Sequence, residues 1–341
     1  MKQKPHLAIT LGDPCGIGPE LLLKILPILC NDWQITIYGS SVGLAILPEN
    51  NFGFEIKNNK LYFNSTEFAW VDPVPEISFK DLRIGVPSAL SGICAIQAVK
   101  QATIDICSGK ADALLTLPLS KTAISLAGIE TIGHTELLQK ITNTPRVQMA
   151  FISPSLKVVL HTVHQSLRSV LQELNPESVA ETLIFTAQQF DSVFKKKHAR
   201  VALCAINPHA GEGGIFGMEE KILEQSIEIA TNFFKDSLSI QPEFTGPHPA
   251  DNLFLRATKN EFDVVVAIYH DQGLIPIKLI ESEHAVNCTL GLPFIRTSPG
   301  HGTAFDIAGK WIANPINSLA AGELAYSLLG DSYETDSNNH R

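Results

Sequence analysis

The chain has 341 residues, of which 45% are hydrophobic and 18% are charged, a composition that excludes a disordered protein. Its length suggests about two domains, and its 35 acidic against 26 basic side chains give a formal net charge of −9. Nucleic-acid surfaces are basic and membrane spans need roughly 20 apolar residues, so we expect neither partner. The N-terminus lacks a signal-peptide pattern and the cysteines form no C-x-x-C pair, so we expect a reduced, cytoplasmic protein.

Strand-like and helix-like segments alternate along the chain, which predicts an α/β fold with a mostly parallel sheet. The predicted strands are residues 6–11, 34–38, 113–117, 147–152, 158–161, 200–206 and 263–269. The predicted helices are residues 19–30, 92–108, 136–142, 177–194, 219–234 and 315–329. We expect residues 50–90 to be irregular with strand-like pieces, and the polar tail 331–341 to be frayed.

A glycine-rich segment, residues 12–20, follows the first predicted strand and opens the first predicted helix. This position favours anion binding at a helix N-terminus, but the glycine order is not the G-x-G-x-x-G of dinucleotide-binding proteins. A tight turn that packs the helix on the sheet explains the segment equally well. The motifs of P-loop NTPases and of serine hydrolases with a nucleophile elbow do not occur in the sequence, which excludes those classes.

Three predicted strands run into a histidine, namely His164, His209 and His270. Ligands of open α/β sheets bind at the carboxyl ends of the strands, where three parallel strands would bring these imidazoles together. Three imidazoles with an open position are typical of a catalytic divalent metal. Ordinary strand-end histidines are an equally good interpretation of the residues alone. We take His161, on the opposite face of its strand, as structural.

Polar side chains also interrupt apolar segments near the C-terminus, where Lys278, Asn287 and Arg296 occur. A charge in such a segment needs a partner, because its desolvation is costly. The partner is either an anionic ligand or an internal acidic residue. Residues 133–136 lie at a predicted helix start, where they either cap the helix or donate hydrogen bonds to a phosphate or carboxylate.

Taken in order, these motifs resemble the 4-hydroxythreonine-4-phosphate dehydrogenases of pyridoxal phosphate biosynthesis. The resemblance extends from about residue 7 to about residue 325 and rests on residues 12–20, 133–136, 207–214, 269–273 and 287–298. It implies a fold like that of isopropylmalate dehydrogenase, with two α/β/α domains and the active site in the cleft between them. Residues 1–125 with 285–341 would form the cofactor-side domain, and residues 126–284 the domain for metal, substrate and dimerisation.

The resemblance also implies a reaction. The family oxidises 4-phosphooxy-L-threonine with NAD(P)⁺ to 2-amino-3-oxo-4-(phosphooxy)butanoate, which loses CO₂ to give 3-amino-2-oxopropyl phosphate. It implies a homodimer that completes each active site across its interface, and a divalent metal (Zn²⁺, Mg²⁺ or Co²⁺). The residues that match the family's motifs are the metal ligands His164, His209 and His270, the substrate contacts His134, Thr135, Lys278, Asn287 and Arg296, and the acidic residues Asp251 and Asp271, one of which would orient a ligand or relay a proton.

Residues 301–310 and 313–315 resemble the adenosine-binding loop of isopropylmalate and isocitrate dehydrogenases, although Phe305 replaces the usual proline. The matching cofactor contacts are Gly302, Thr303, Ala304, Asp306 and Asn314. The resemblance places Asp306 at the ribose hydroxyls, which predicts NAD⁺ rather than NADP⁺; the alternative is that Asp306 only caps a helix. Leu117 departs from the family pattern, where we expect a small residue.

Two other functions stay open from the sequence. One is a dehydrogenase of the same family that acts on another small hydroxy acid or on a dihydrodiol. The other is an acyltransferase of the related phosphate-acetyltransferase fold, which does not need the three histidines.

Overall fold

The computed structural model describes residues 4–48, 53–130 and 133–330, so the predicted frayed tail lies outside the described residues. Its strands are β1 (His6–Thr10), β2 (Gln34–Tyr38), β3 (Phe54–Lys57), β4 (Lys60–Phe63), β5 (Thr66–Val71), β6 (Ala113–Thr116), β7 (Gln148–Ile152), β8 (Lys157–Leu160), β9 (Arg200–Cys204), β10 (Glu243–His248), β11 (Val264–Ala267), β12 (Val286–Leu290) and β13 (Ile295–Ser298). Its helices are α1 (Gly18–Leu29), α2 (Val42–Ala45), α3 (Ala89–Cys107), α4 (Lys121–Leu126), α5 (His134–Thr142), α6 (Leu167–Glu173), α7 (Pro176–Ser192), α8 (Glu220–Phe234), α9 (Ala250–Ala257), α10 (His270–Glu281) and α11 (Ile316–Leu329).

The chain divides into two compact units. Unit 1 comprises Met1–Val147 and Val286–Arg341, and unit 2 comprises Gln148–Ala285. The predicted first boundary, at residue 125, differs from the observed junction because α5 packs against α3 in the core of unit 1. A site in a cleft between two domains stays a prediction.

Unit 1 is built on a sheet with the strand order β12-β13-β6-β1-β2-β5-β4-β3. Neighbouring strands from β13 to β5 are parallel, whereas β12 pairs antiparallel with β13 and the hairpin β3–β4 continues antiparallel from β5. The segment expected to be irregular therefore contains three strands. Its alternation of buried and exposed residues is that of a sheet with one face in water.

Both faces of the central strands in unit 1 are covered, as in an α/β/α sandwich. Leu7 and Ile9 of β1 belong to the apolar cluster that contains the buried faces of α1 and α11. Ala8, which alternates to the opposite face, belongs to the cluster formed with α3 and α5. This two-sided burial explains why the strand reads as an unbroken apolar run in the sequence.

Unit 2 is built on a smaller sheet with the order β10-β9-β11-β8-β7. The first four strands are parallel, and β7 pairs antiparallel with β8. Alternate residues of β8, β9 and β11 pack on α9 and α10, while α7 contacts β9 and α8 contacts β10. The predicted mostly parallel α/β fold is confirmed in each unit.

The helix starts follow ordinary capping chemistry. Pro19 occupies the first turn of α1, where a missing N–H costs nothing. Ser88 and Ser91 form a reciprocal capping box that starts α3 at Ala89, three residues before the predicted start. None of the described helices is long and apolar enough to span a bilayer.

The glycine-rich segment is a packed turn. Gly12 has φ +73°, and a Cβ at this position would lie 2.2 Å from the carbonyl oxygen of Pro118. The N–H of Asp13 donates to that carbonyl, and the N–H of Gly16 donates to the carbonyl of Asp13. These N–H groups already have protein acceptors, so the structure favours the packing interpretation over anion binding.

Asp13 is fully buried in this turn. Its Oδ1 accepts the N–H of Cys15 at 2.9 Å and its Oδ2 accepts the hydroxyl of Ser91 at 3.1 Å. Burial outweighs these hydrogen bonds and raises the pKa of Asp13 to about 6. The native state therefore binds this proton more tightly than the unfolded state does, and the contribution of Asp13 to stability falls as the pH rises from about 4 to about 6.

We predict that Asp13→Asn removes this pH dependence. An asparagine keeps both contacts, since its Oδ1 accepts from Cys15 and its amide donates to Ser91, and it carries no charge. Relative to wild type, the free energy of unfolding should rise by about 2 kcal/mol more at pH 7.5 than at pH 4.5. Urea denaturation at the two pH values measures this difference. Asp32→Asn, an exposed control, should show none, and equal shifts of Asp13→Asn at both pH values would contradict the prediction.

Candidate functional site

The strand order of unit 2 brings the carboxyl ends of the three strands that precede the predicted histidines to one edge of the sheet. Strands β9, β11 and β8 are neighbours and parallel, with β11 in the centre. Their carboxyl ends lead to His209, His270 and His164 respectively. The ring centroids of His164 and His270 lie 6.2 Å apart.

The third histidine does not join this pair. His209 is exposed in the turn Pro208–Gly214, where it has φ 52° and its ring centroid lies 6.2 Å from that of Phe216. Within the described residues, no group of three His, Cys, Asp or Glu side chains is placed to hold a metal ion. The donor set thus fits a metal in its chemistry, whereas the described side chains do not converge on one ion.

A carboxylate orients the central histidine. The Nδ1 of His270 lies 2.7 Å from Oδ1 of Asp271, which leaves Nε2 as the free ring nitrogen. A carboxylate in this role fixes the ring orientation of a ligand and raises its basicity. Asp251, the other predicted acidic residue, is exposed in the first turn of α9.

Two buried side chains that the sequence pattern does not single out hold the strand exits in place. Gln272 accepts the N–H of Ile268 at 2.7 Å and donates to the carbonyl of Ala205 at 2.7 Å, so it joins the end of β11 to the end of β9. Glu220 accepts the N–H groups of Ile206 at 3.1 Å and Asn207 at 2.7 Å. Their only sequence signal is a polar residue next to a histidine motif or at a helix start.

Unit 1 contains a buried cation that has no ion-pair partner among the described residues. Arg296, on β13, is 1% exposed, and its guanidinium donates to the hydroxyl of Thr116 at 2.6 and 3.2 Å and to that of Thr289 at 2.9 Å. Among the described residues, no carboxylate lies within 4 Å of it. Burial lowers the pKa of Arg296 to about 10, so the group stays charged at neutral pH. A guanidinium has five N–H donors, and these hydroxyls use three of them.

Two other polar atoms of unit 1 have no hydrogen-bond partner in the part of the chain that the structure describes. The Nε2 of His134, at the start of α5, and the Oδ1 of Asn287, on β12, are shielded from water and have no hydrogen-bond partner among the described residues. Burial and the Arg296 charge hold the pKa of His134 well below its usual range, so its imidazole is neutral. Thr135 is half-buried beside it. Buried polar atoms without partners indicate a place for a ligand or water.

Lys278, the remaining predicted substrate contact, belongs to unit 2. It is exposed on α10 and makes no hydrogen bond or ion pair with the described residues. Unit 1 therefore contains four of the five predicted contacts, of which His134 lies close enough to Arg296 for the guanidinium charge to lower its pKa, and Lys278 stays a prediction.

The predicted cofactor loop, residues 301–314, belongs to unit 1. Asp306 is exposed on it, and its carboxylate meets no hydrogen-bond donor in the part of the chain that the structure describes. Asp306 therefore does not cap a helix. Its carboxylate can accept hydrogen bonds from a pair of neighbouring hydroxyl groups. Gly302 faces open space, and Asn314 accepts the N–H of Ile316 at 3.0 Å. A free carboxylate suits the two hydroxyls of a ribose, so these residues fit a nicotinamide dinucleotide.

Leu117, the departure from the family pattern, lies in the core. It is fully buried in the apolar cluster of β1 and α1, and its N–H donates to the carbonyl of Thr10 at 3.0 Å. The larger side chain is therefore accommodated by packing at the end of β6.

Known proteins are similar to this chain along nearly its whole length. The chain is 36% identical over 337 residues to a 4-hydroxythreonine-4-phosphate dehydrogenase of Desulfosudis oleivorans, covering 95% of this chain and 96% of the relative. It is 37% identical over 336 residues to a D-threonate 4-phosphate dehydrogenase of Pectobacterium atrosepticum, covering 94% and 98%. The crystal structure of the Klebsiella pneumoniae 4-hydroxythreonine-4-phosphate dehydrogenase superposes with a TM-score of 0.78 at 34% identity, covering 95% of this chain and 99% of that one.

A more distant structure shows the fold alone. A β-decarboxylating dehydrogenase of Thermococcus kodakarensis is 16% identical, with a TM-score of 0.50 over 96% of this chain and 84% of that one. This likeness agrees with the predicted α/β fold. Residues 40–325 match the family model described as pyridoxal phosphate biosynthetic protein PdxA, and the chain therefore belongs to the PdxA family.

Proposed function

We propose that the protein is a 4-hydroxythreonine-4-phosphate dehydrogenase that uses NAD⁺, with NADP⁺ as the weaker cofactor. It would oxidise the C3 hydroxyl of 4-phosphooxy-L-threonine to a 3-oxo acid, which loses CO₂ to give 3-amino-2-oxopropyl phosphate. The observation that carries this proposal is the buried Arg296, which has no carboxylate partner among the described residues. A cation in this state is stabilised when an anionic substrate arrives.

The side chains around Arg296 give the substrate its orientation. The two threonine hydroxyls fix the guanidinium plane, and its remaining N–H groups are the donors for a phosphate or carboxylate oxygen. Neutral His134 donates or accepts a hydrogen bond there and adds no second charge. The unpartnered Oδ1 of Asn287 is an acceptor for a substrate N–H or O–H group. We assign Thr135 and Lys278 to the same substrate by the family match.

We assign the metal ligands to His164, His270 and His209, the last reaching the ion by movement of its exposed turn. A bound divalent metal would lower the pKa of the substrate hydroxyl and polarise the ketone formed from it. Asp271 holds the ring of His270 in one orientation through the contact at Nδ1. Asp271 or Asp251 accepts the proton that leaves the substrate hydroxyl. Of the expected ions Zn²⁺, Mg²⁺ and Co²⁺, Mg²⁺ suits three imidazoles least, because it prefers oxygen ligands.

The cofactor is assigned to the loop of residues 301–314. A nicotinamide dinucleotide would accept the hydride from the substrate carbon. The free carboxylate of Asp306 accepts hydrogen bonds from the ribose hydroxyls and repels a 2′-phosphate.

We further propose a cytoplasmic homodimer. Helix α10 of unit 2 exposes Ile275, Leu279 and Ile280, with 57%, 82% and 44% of their surface accessible. Apolar side chains grouped in this way are typical of a surface that another chain covers.

A D-threonate 4-phosphate dehydrogenase is the second candidate, since a relative of that name is 37% identical over nearly the whole chain. That substrate carries a hydroxyl at C2 where 4-phosphooxy-L-threonine carries an ammonium group. The acyltransferase alternative finds no support in the family match.

NADH formation tests the proposal. Purified protein with NAD⁺ and each divalent metal is given either 4-phosphooxy-L-threonine or D-threonate 4-phosphate, and absorbance at the NADH band is followed. We expect the amino-acid substrate to have at least a tenfold higher kcat/KM. A preference for D-threonate 4-phosphate would establish the second candidate, and no reduction of NAD⁺ with either compound would refute both.

We predict that Arg296→Met weakens substrate binding and stabilises the protein without ligand. Without ligand, loss of the unpartnered charge should raise the free energy of unfolding by about 1–3 kcal/mol, because burying the charge is costly. The kcat/KM for the phosphorylated substrate should fall by about 100-fold or more. Urea denaturation and initial rates measure the two effects. Arg296→Lys, which keeps the charge but not the planar fork, should lose activity without the gain in stability. Unchanged kinetics in Arg296→Met would mean a structural role.

We predict that His209→Asn abolishes turnover and metal retention with little effect on stability. Asparagine tolerates the left-handed backbone of this exposed position, so the free energy of unfolding should change by no more than about 0.5 kcal/mol. Chelation should inactivate the wild type, and added metal should restore it. Metal content after gel filtration provides a measurement independent of turnover. The exposed His198→Asn is the control, and full activity of metal-stripped wild type would rule out the three-histidine assignment.

We predict that Asp306→Lys weakens or reverses the preference for NAD⁺. The substitution replaces repulsion of a 2′-phosphate by attraction, so the ratio of kcat/KM for NAD⁺ to that for NADP⁺ should fall by about tenfold or more. Rates with both cofactors for wild type and variant give this ratio. Glu323→Lys, an exposed control on α11, should leave it unchanged. The same ratio in both proteins would show that Asp306 does not contact the ribose.

A further inference from the structure

The glycine-rich segment ends in a buried carboxylate whose contacts all lie in the cofactor loop or on its own helix. Glu20, on α1, is fully buried. Its Oε2 accepts the N–H groups of Gly309 at 3.1 Å and Trp311 at 3.2 Å, and its Oε1 accepts that of Ala313 at 2.9 Å. One side chain thus binds three alternate amides of a segment without helix or strand structure.

Lys24, one turn further along α1, completes this contact. Its Nζ donates to the carbonyls of Trp311 at 2.8 Å and Ala313 at 2.7 Å and lies 3.6 Å from Oε1 of Glu20. The pair therefore binds both the donors and the acceptors of the same backbone. The buried charge of Glu20 is balanced by Lys24 and by the three N–H groups.

The other end of the loop rests on the same segment. The N–H of Ile17 donates to the carbonyl of Thr303 at 3.0 Å. A Cβ on Gly16 would lie 2.9 Å from that oxygen, so only glycine allows this approach. The loop is thus attached to the start of α1 at residue 303 and again at residues 309–313, and Asp306 lies between the two attachments.

We propose that Glu20 is a positioning residue for cofactor binding, which it serves by fixing the loop that presents Asp306 to the ribose. This inference rests on the proposed NAD⁺-dependent function. Fixing a backbone costs conformational entropy, so a loose loop would lose affinity when it became ordered around the cofactor. Because Glu20 orders the loop when the protein folds, the cofactor does not have to order it on binding. The glycine-rich segment therefore supports the cofactor site without contacting a phosphate.

Glu20→Gln tests the proposal. Its amide group must face at least one of the three N–H groups, so the variant loses one or two of the contacts. The KM and the dissociation constant for NAD⁺ should rise at least tenfold, while the KM for the phosphorylated substrate and kcat change less than about twofold. The preference for NAD⁺ over NADP⁺ should also fall, because Asp306 is no longer held. Hydrogen exchange at the amides of residues 309, 311 and 313 should accelerate.

Two further proteins keep the test decisive. Glu323→Gln removes an exposed carboxylate from α11 and should reproduce the wild type in every measurement. Lys24→Met, which leaves the carboxylate and its three amides, should raise the KM for NAD⁺ less than Glu20→Gln does, and it replaces that variant if Glu20→Gln does not fold. Faster exchange at residues 309–313 with unchanged NAD⁺ binding would overturn the positioning role. Wild-type protein that binds no NAD⁺ would instead refute the proposed function, and the inference with it.

Discussion

A charge placed inside a protein must find polar groups that replace water, and this constraint shapes unit 1 at three positions. Glu20 meets it with three backbone amides and a lysine, and Asp13 with one amide and a hydroxyl. Arg296 meets it only in part, with two threonine hydroxyls. Asp13 lies between β1 and α1, Glu20 lies in the first turn of α1, and Arg296 lies within β13.

The number of polar partners around each buried charge distinguishes a residue that holds the structure from a residue that binds a ligand. A fully compensated carboxylate fixes its surroundings, since any movement would leave several N–H groups without acceptors. A guanidinium with unused donors, near a neutral histidine whose Nε2 has no partner among the described residues, is poorly compensated until an anion arrives. The same physical rule thus makes Glu20 a fixed point of the cofactor loop and Arg296 a binding group.

The sequence predicted the strand exits well because their signal is local. Apolar β-branched runs followed by histidine mark β8, β9 and β11, and the parallel order of these strands follows from the alternation with helices. The hairpin β3–β4 and helix α10 were not predicted, because half-exposed strands and a helix that contains Pro276 have weak periodicity. The positions of the histidine side chains depend on the turn around His209, whose left-handed backbone no local pattern predicts.

The glycine-rich segment shows where residue patterns reach their limit. Its position between β1 and α1 is that of an anion-binding turn, and the sequence left that interpretation level with simple packing. The decision depends on acceptors far away in the chain, Pro118 for Asp13 and Thr303 for Ile17, which no spacing within the segment reveals. The role of Glu20 cannot be predicted from the local sequence either. A glutamate in the first turn of a helix ordinarily complements the helix dipole. Only its contacts with residues 309–313 distinguish a helix-stabilising carboxylate from one that holds a loop.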